Sequence, residues 1–483
     1  MNIARKIKIV LGPAVALAIF VFTDLDPENP MVTKMAAITA WIAIWWLTEA
    51  VHLAVTALIP FLMIPTLGIV NPKETAFQYM DPIIFLFIGG FLISFAIEKW
   101  NLHKRIALSI LMRVGTKSHN ILFGVMFTSY TISMWISNTA TVMMLISAVL
   151  AISVMIEKTS SKSSLNLPKA LLIGLAYSAS IGGMATLVGT PPNMIFLRAY
   201  TDAYPDGVPM TFASWFIIGL PISLLMFITC YYVLRSMYLS GNKETGLSKD
   251  YFNKQHDELG VKTWEQKIVS TVFISTAILW FTRSDLVLGS FTIPGWNNIF
   301  NNPSYITDST VAIFMAVLLF MIPSRSEKSR AILTWEEAKK LPFDIILLFG
   351  SGFALAKGFD ESGLSTWLAG QLSLFRTADI IMIGFSLAVL VCVISEFASN
   401  VASIQLMIPV LIVLQQELQV DPLVLMIPAT LAASTGFMLP VATAPNTIVF
   451  GSGKITINDM ARAGILMDIA GILLITILVY IIS

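Results

Sequence analysis

Two short polar clusters interrupt long apolar runs, and both have the makings of an ion-binding turn. They are Ser137-Asn138-Thr139, with Ser133 upstream, and Ser399-Asn400, with Ser395 upstream. Hydroxyl and amide oxygens are ligands for a hard monovalent cation, and the Asn amide also carries donors for an anion. Two further motifs, Gly189-Thr190-Pro191-Pro192-Asn193 and Ala442-Thr443-Ala444-Pro445-Asn446, put prolines where a helix would otherwise continue. A proline removes a donor and pushes the preceding residue out of helical geometry, so a helix must break there. Helix ends leave carbonyls free and helix starts leave N–H groups free, so a turn facing a break offers oxygens to a cation and donors to an anion. No Lys, Arg or His lies in any of the four motifs. An anion held there depends on helix N-termini, Asn amides, Thr hydroxyls and a co-bound cation for its compensating charge, which is a physical route to symport.

The elements that must position these residues are membrane helices. Of 483 residues, 56% are hydrophobic and only 12% charged, and the mean hydropathy is +0.79. Soluble domains carry about 25% charged residues, so most of this chain belongs in lipid. Apolar stretches of spanning length recur from Ile7 to Ile482, with no polar block large enough to fold alone. The expected fold is an all-α polytopic membrane protein of about eleven crossings plus two re-entrant helical hairpins. The run after Arg5, Lys6 and Lys8 lacks a small-residue cleavage site and is read as the first helix, not a signal peptide. With the N-terminus inside, 24 of the 30 basic residues fall on cytoplasmic stretches, and Lys34, Lys73, Arg198, Arg283, Lys357 and Arg376 fall outside. That asymmetry favours a cell-membrane protein with a cytoplasmic N-terminus and an external C-terminus. Cys230 and Cys392 both lie in apolar runs and are read as packing residues.

The two halves repeat each other. Asp81-Pro82-Ile83-Ile84 returns as Asp344-Ile345-Ile346-Leu347, the Ser137-Asn138 cluster as Ser399-Asn400, and the Asn193 motif as the Asn446 motif, at offsets of 263, 262 and 253 residues. An odd number of crossings between equivalent points inverts one half relative to the other. The first repeat is expected over residues 1–239, with a cytoplasmic-side hairpin at 119–156 and a broken helix at 168–200. A cytoplasmic linker follows at 240–267. The second repeat spans 268–483, with an outer-side hairpin at 376–417 and a broken helix at 422–450. The connector from Glu98 to Thr116 carries Lys99, Lys104, Arg105 and Arg113 among Leu and Ile, as suits a helix lying on the cytoplasmic surface. Non-helical backbone at membrane depth is tolerated only where it is buried in protein or lines a wet cavity, so the tips and breaks are the candidate site.

With these motifs the chain resembles the divalent anion:sodium symporter family, which includes bacterial sodium-dicarboxylate and animal sodium-citrate transporters. The family signature is a Ser-Asn-Thr motif at each of two hairpin tips. The first is present as Ser137-Asn138-Thr139, and the second reads Ser399-Asn400-Val401. The resemblance implies one sodium site from Ser133, Ser137, Asn138 and Gly189, and another from Ser395, Ala398, Asn400 and Ala442. It implies substrate contacts from Asn138, Thr139, Ser399, Asn400, Thr190 and Thr443, with Val401, Pro191 and Ala444 lining the site. It further implies co-transported sodium ions, a homodimer and an elevator-type movement of a transport domain against a scaffold.

The expected function is therefore sodium-coupled import of a C4-dicarboxylate such as succinate, malate or fumarate, with sodium, the dicarboxylate and lipid as partners and no nucleic acid. Citrate or sulfate could occupy the same tips, and a sodium-independent exchanger would share them. A cation/proton antiporter would need a titrating acid, and Glu396 is the candidate beside a tip, although its repeat partner is Met134. An enzyme is not expected, since the chain lacks HExxH and no Ser/His catalytic pair is evident. Glu49 and His52 are read as interfacial or capping residues, and Trp41, Trp45 and Trp46 as packing or an aromatic belt.

Overall fold

A computed structural model describes residues 3–159, 166–239, 249–288, 291–327, 330–372 and 378–483. Residues 240–248 of the expected linker lie outside the described residues, as do Lys162, Lys328 and Arg376, three further charges used to orient the chain. The described residues are predominantly helical, with one short antiparallel strand pair, Leu286–Leu288 with Phe291–Ile293. Eight of the described helices are long and apolar enough to cross a membrane, and Leu53–Thr66, Asp308–Met321 and Pro422–Ala432 are shorter apolar stretches.

Helix starts follow from local chemistry. Asp81, Asp379 and Asp421 each accept from the N–H two residues on, and Asp81 and Asp421 precede a proline at the position where a missing N–H is harmless. Thr211, Thr263, Thr307 and Thr456 close reciprocal capping boxes. His52 caps Leu53–Thr56 through Nδ1, and Glu49 ends Pro30–Thr48 in the left-handed region, so both serve as caps. Trp46 is fully buried and Trp41 packs edge-on against Trp45, which makes this group packing. Cys230 and Cys392 are free and buried.

The helices fall into two groups, and one continuous apolar core runs through both. One, here called the frame, contains Ile3–Phe22 against Pro30–Thr48, then Pro82–Lys99 against Trp264–Phe281 and Asp308–Met321, and Phe343–Ser362 with Leu364–Leu372. Met35, Ile42, Trp46, Leu348 and Phe359 belong to a second apolar cluster, which also takes in Ala402 of Asn400–Leu418. The other body gathers around Leu167–Met184, a helix buried on every side, onto which Ser118–Ser133, Asn138–Thr159 and Phe212–Tyr238 pack. Ile380–Phe397, Asn400–Leu418, Pro422–Ala432 and Ile457–Ile482 complete this core body.

The connector forms the amphipathic helix Leu102–Val114, which buries Leu102, His103, Ala107 and Leu111. It holds the described part of the linker: Arg105 donates to Gly260 O at 2.8 Å and to Gln266 Oε1 at 3.1 Å, and helix Lys249–Glu258 packs on it.

Candidate ion and anion site

Both polar clusters form the turn of a helical hairpin. In the first, Ser118–Ser133 ends, the chain turns, and Asn138–Thr159 begins. Ser133 Oγ donates to Asn138 Oδ1 at 2.7 Å, closing the turn with a side-chain clasp. In the second, Ile380–Phe397 turns into Asn400–Leu418, and Ser395 Oγ lies 2.9 Å from Asn400 Oδ1. The same pair of atoms thus meets in each half. Ser137 and Ser399 accept from the N–H groups of Ala140 and Ala402, at 3.3 and 3.2 Å. The return helices therefore still present the N–H groups of their first two residues, Asn138-Thr139 and Asn400-Val401, which a helix cannot pair internally.

Each hairpin faces a broken helix. The first break, residues 185–190, separates Leu167–Met184 from Pro191–Ala203. Thr186 donates its hydroxyl to Met134 O at the hairpin tip and accepts from Gly189 N at 3.1 Å. The buried Asn193 amide donates to Gly183 O at 3.1 Å and Thr186 O at 2.7 Å. A Cβ at Gly183 would collide with the Asn138 amide, and one at Gly189 would lie 2.6 Å from Gly183 O. Glycine at these two positions lets the tip seat on the break.

The second break, residues 433–443, lies between Pro422–Ala432 and Ala444–Phe450. Thr443 caps the short helix by accepting from Asn446 N at 3.2 Å, and the Asn446 amide donates to Leu439 O at 3.1 Å. Glu396 accepts from Met438 N at 2.7 Å and Leu439 N at 2.9 Å, one bond to each oxygen. Asp468 Oδ1 accepts from Phe437 N at 3.3 Å. Tyr177, from the first half, donates to Phe437 O at 2.6 Å.

The halves are interlocked. Pro191–Ala203 of the first break packs on Asn400–Leu418 of the second hairpin, and Ala444–Phe450 of the second break packs on Asn138–Thr159 of the first. Each tip thus lies among helices from both breaks.

Of the expected site residues, Ser133, Gly189, Thr190, Ser395, Ala398, Ala442 and Thr443 are buried. Ser137, Asn138, Pro191, Ser399, Asn400 and Val401 are half-buried, and Thr139 and Ala444 are exposed. The structure joins Ser133 with Asn138 and Ser395 with Asn400 directly. Gly436 lies between Ser395 O and Ala442, where a Cβ would be 3.0 and 3.2 Å from the two. Ser137 borders a small cavity with Val188 and Met194, closed on the frame side by Phe87 and Phe91.

The oxygen arrangement suits a cation. Ser395 Oγ is 2.9 Å from Asn400 Oδ1 and 2.6 Å from Ala433 O, yet the hydroxyl has one hydrogen to share between them. Three oxygens with one proton leave a surplus of lone pairs that a cation would satisfy. The oxygens gathered here, from Ser395, Asn400 and Ala433, are all neutral.

A family model described as the sodium:sulfate symporter transmembrane region matches residues 4–482. The chain belongs to that family. It is a family of membrane transporters, not enzymes. The sodium-dependent dicarboxylate transporter SdcS of Staphylococcus saprophyticus is 38% identical over 99% of this chain and 91% of its own length. SdcS of Staphylococcus aureus is also 38% identical, over 99% and 91%. Two solved transporters share the fold. Neisseria gonorrhoeae MtrF has a TM-score of 0.58 at 14% identity, covering 98% of both chains, and Alcanivorax borkumensis YdaH has 0.55 at 13%, covering 88% of both.

Sequence reasoning did not assign roles to Thr186, Tyr177 or Asp468, and it treated Asn193 and Asn446 only as repeat markers. The recurrence of Asn three residues after Thr190 and after Thr443 was the available signal for a paired structural role. Arg198, counted among the outer-side charges, is buried and ion-paired with Asp81.

Proposed function

We propose that the chain is a sodium-coupled symporter that imports a C4-dicarboxylate. The observation that carries this reading is the duplicated Ser–Asn clasp, Ser133–Asn138 and Ser395–Asn400, each seated among broken helices from both halves. It is supported by the family and by relatives named as sodium-dependent dicarboxylate transporters. One sodium ion is held by Ser133, Ser137, Asn138 and Gly189, the other by Ser395, Ala398, Asn400 and Ala442. The dianion lies between them, meeting Asn138, Thr139, Ser399, Asn400, Thr190 and Thr443, with Val401, Pro191 and Ala444 as walls. Its charge is balanced by the two cations and by the N-termini of Asn138–Thr159 and Asn400–Leu418, so neither ion binds well without the other.

On this reading residues 1–239 and 268–483 are inverted repeats with eleven crossings and two re-entrant hairpins. The N-terminus is cytoplasmic, the C-terminus external, and two copies form a dimer. The core body is the transport domain and slides against the frame as an elevator. Glu396, on which a proton antiporter would depend, has both oxygens occupied by backbone N–H groups of the second break, which supports a bracing role.

Purified protein in proteoliposomes is expected to accumulate labelled succinate only under an inward sodium gradient. Equal uptake with choline in place of sodium would defeat symport. Asn138→Ala and Asn400→Ala are each expected to reduce uptake to background while the protein remains monodisperse.

A further inference from the structure

Arg198 and Asp81 belong to different bodies. Asp81 caps Pro82–Lys99 of the frame, accepting from Ile83 N at 2.9 Å, while Arg198 lies on Pro191–Ala203, which is grouped with the core body because it packs mainly on Asn400–Leu418 and Pro422–Ala432, although it also touches Phe343–Ser362 and Pro82–Lys99. Arg198 Nε is 2.5 Å from Asp81 Oδ2, and each side chain is only 7% exposed. The guanidinium also lies 5.3 Å over the Phe353 ring of the frame and 3.5 Å from Gln78 Oε1, on the short helix Pro72–Gln78 that packs on Phe343–Ser362 and is counted with the frame, and it pairs with Asp202 on its own helix. Three of its four partners therefore lie across the seam. Beside the pair is a cavity of about 320 Å³ with Ile195, Ala199 and Ile408 on one wall and Phe77, Phe353 and Lys357 on the other.

We propose that the Arg198–Asp81 ion pair is a latch that holds the core body against the frame in this one arrangement and must open in every transport cycle. The inference rests on the elevator reading above. A surface that slides is served by apolar contacts, which lose little when they shift in register. A buried ion pair behaves differently. It is favourable only while the two charges face each other, and separating them exposes each to a desolvated wall unless water enters. The cavity alongside gives water and charge a place to go when the seam opens. Both residues lie outside the tips and breaks, so they act as positioning residues and do not touch the transported ions.

The test is a distance across the cavity. Spin labels at Phe77→Cys on the frame and Ala203→Cys on the core body, diluted with unlabelled protein, report whether the bodies are in register. Cys230 and Cys392 are buried and stay unlabelled. Asp81→Asn keeps a cap acceptor for Ile83 N but removes the charge, and Arg198→Gln removes the other. Each is expected to raise the ratio of the longer to the shorter distance by about tenfold over the parent. The double variant, which strands no charge, is expected to shift it by less than the two singles combined. Distributions identical to the parent, or singles that simply add, would overturn the latch. If Arg198→Gln does not give monodisperse protein, Asp81→Asn alone carries the same expectation. The elevator reading fails separately: the parent distance would then not change when sodium and succinate are added.

Discussion

The two breaks solve the same problem with different means. The first unwinds six residues, 185–190, and ties them down with neutral groups, the Thr186 hydroxyl and the Asn193 amide. The second unwinds eleven, 433–443, and adds two carboxyls and a tyrosine to its own Asn446. More freed backbone at membrane depth means more N–H and C=O groups that need partners. The prolines explain part of the difference. Pro191 and Pro192 restart the first helix at once, whereas Ala444 replaces the first of them in the second half and the segment before it stays open.

The largest effect is expected where the second break depends on charge. Glu396→Gln replaces an oxygen by an NH₂ group facing a backbone N–H, leaving either Met438 N or Leu439 N without an acceptor. Stranding a buried donor in this way costs about 1–3 kcal/mol. Thr186→Val in the first break removes the hydroxyl that serves Met134 O and Gly189 N, but Gly189 N keeps Thr186 O at 3.4 Å, so the expected cost is less, about 1 kcal/mol. Thermal unfolding of the detergent-purified variants measures both. A reversed order would mean that the carboxyl pair is not what holds the second break.

What was legible in the sequence divides along the same line. The tips and breaks were readable because Ser-Asn turns and proline interruptions act through their own backbone within a few residues. The braces were not. Asp468 lies in an uninterrupted apolar helix, and nothing near it in the sequence shows that it meets Phe437. Arg198 read as an outer-side charge because charge counting sees loops and not seams. The crosswise packing of each break on the opposite hairpin is a property of the assembled core body, which no local motif encodes.

A middle-sized effect separates the two tips by how tightly each seats on its break. At Gly183 an added Cβ meets the Asn138 amide itself, whereas at Gly436 the nearest atom is Ser395 O at 3.0 Å. Gly183→Ala is therefore expected to displace Asn138 and bring sodium-driven uptake to background. Gly436→Ala should weaken sodium affinity by less than about tenfold, roughly 1.4 kcal/mol. Sodium-dependence curves of succinate uptake distinguish them. Equal losses would indicate that the two cation sites are equally tight.

The smallest effect concerns the one position at which the tip motifs differ. Thr139 is exposed, so its side chain has room beside it for a ligand. Val401 is half-buried and packs against both apolar clusters. On the proposed function, the second tip then meets the anion through the Asn400 amide, Ser399 and backbone N–H groups, and the Val401 methyls face the wall. Val401→Thr replaces a methyl by a hydroxyl against apolar neighbours, so it should change the KM for succinate by less than about threefold, under 1 kcal/mol. Thr139→Val removes a polar group where the site is open, and its KM should rise by more. If Val401→Thr instead tightened succinate binding or changed the preference between succinate and citrate, the side chain at 401 would have to face the substrate. The two tips would then differ in what they select as well as in how they are braced.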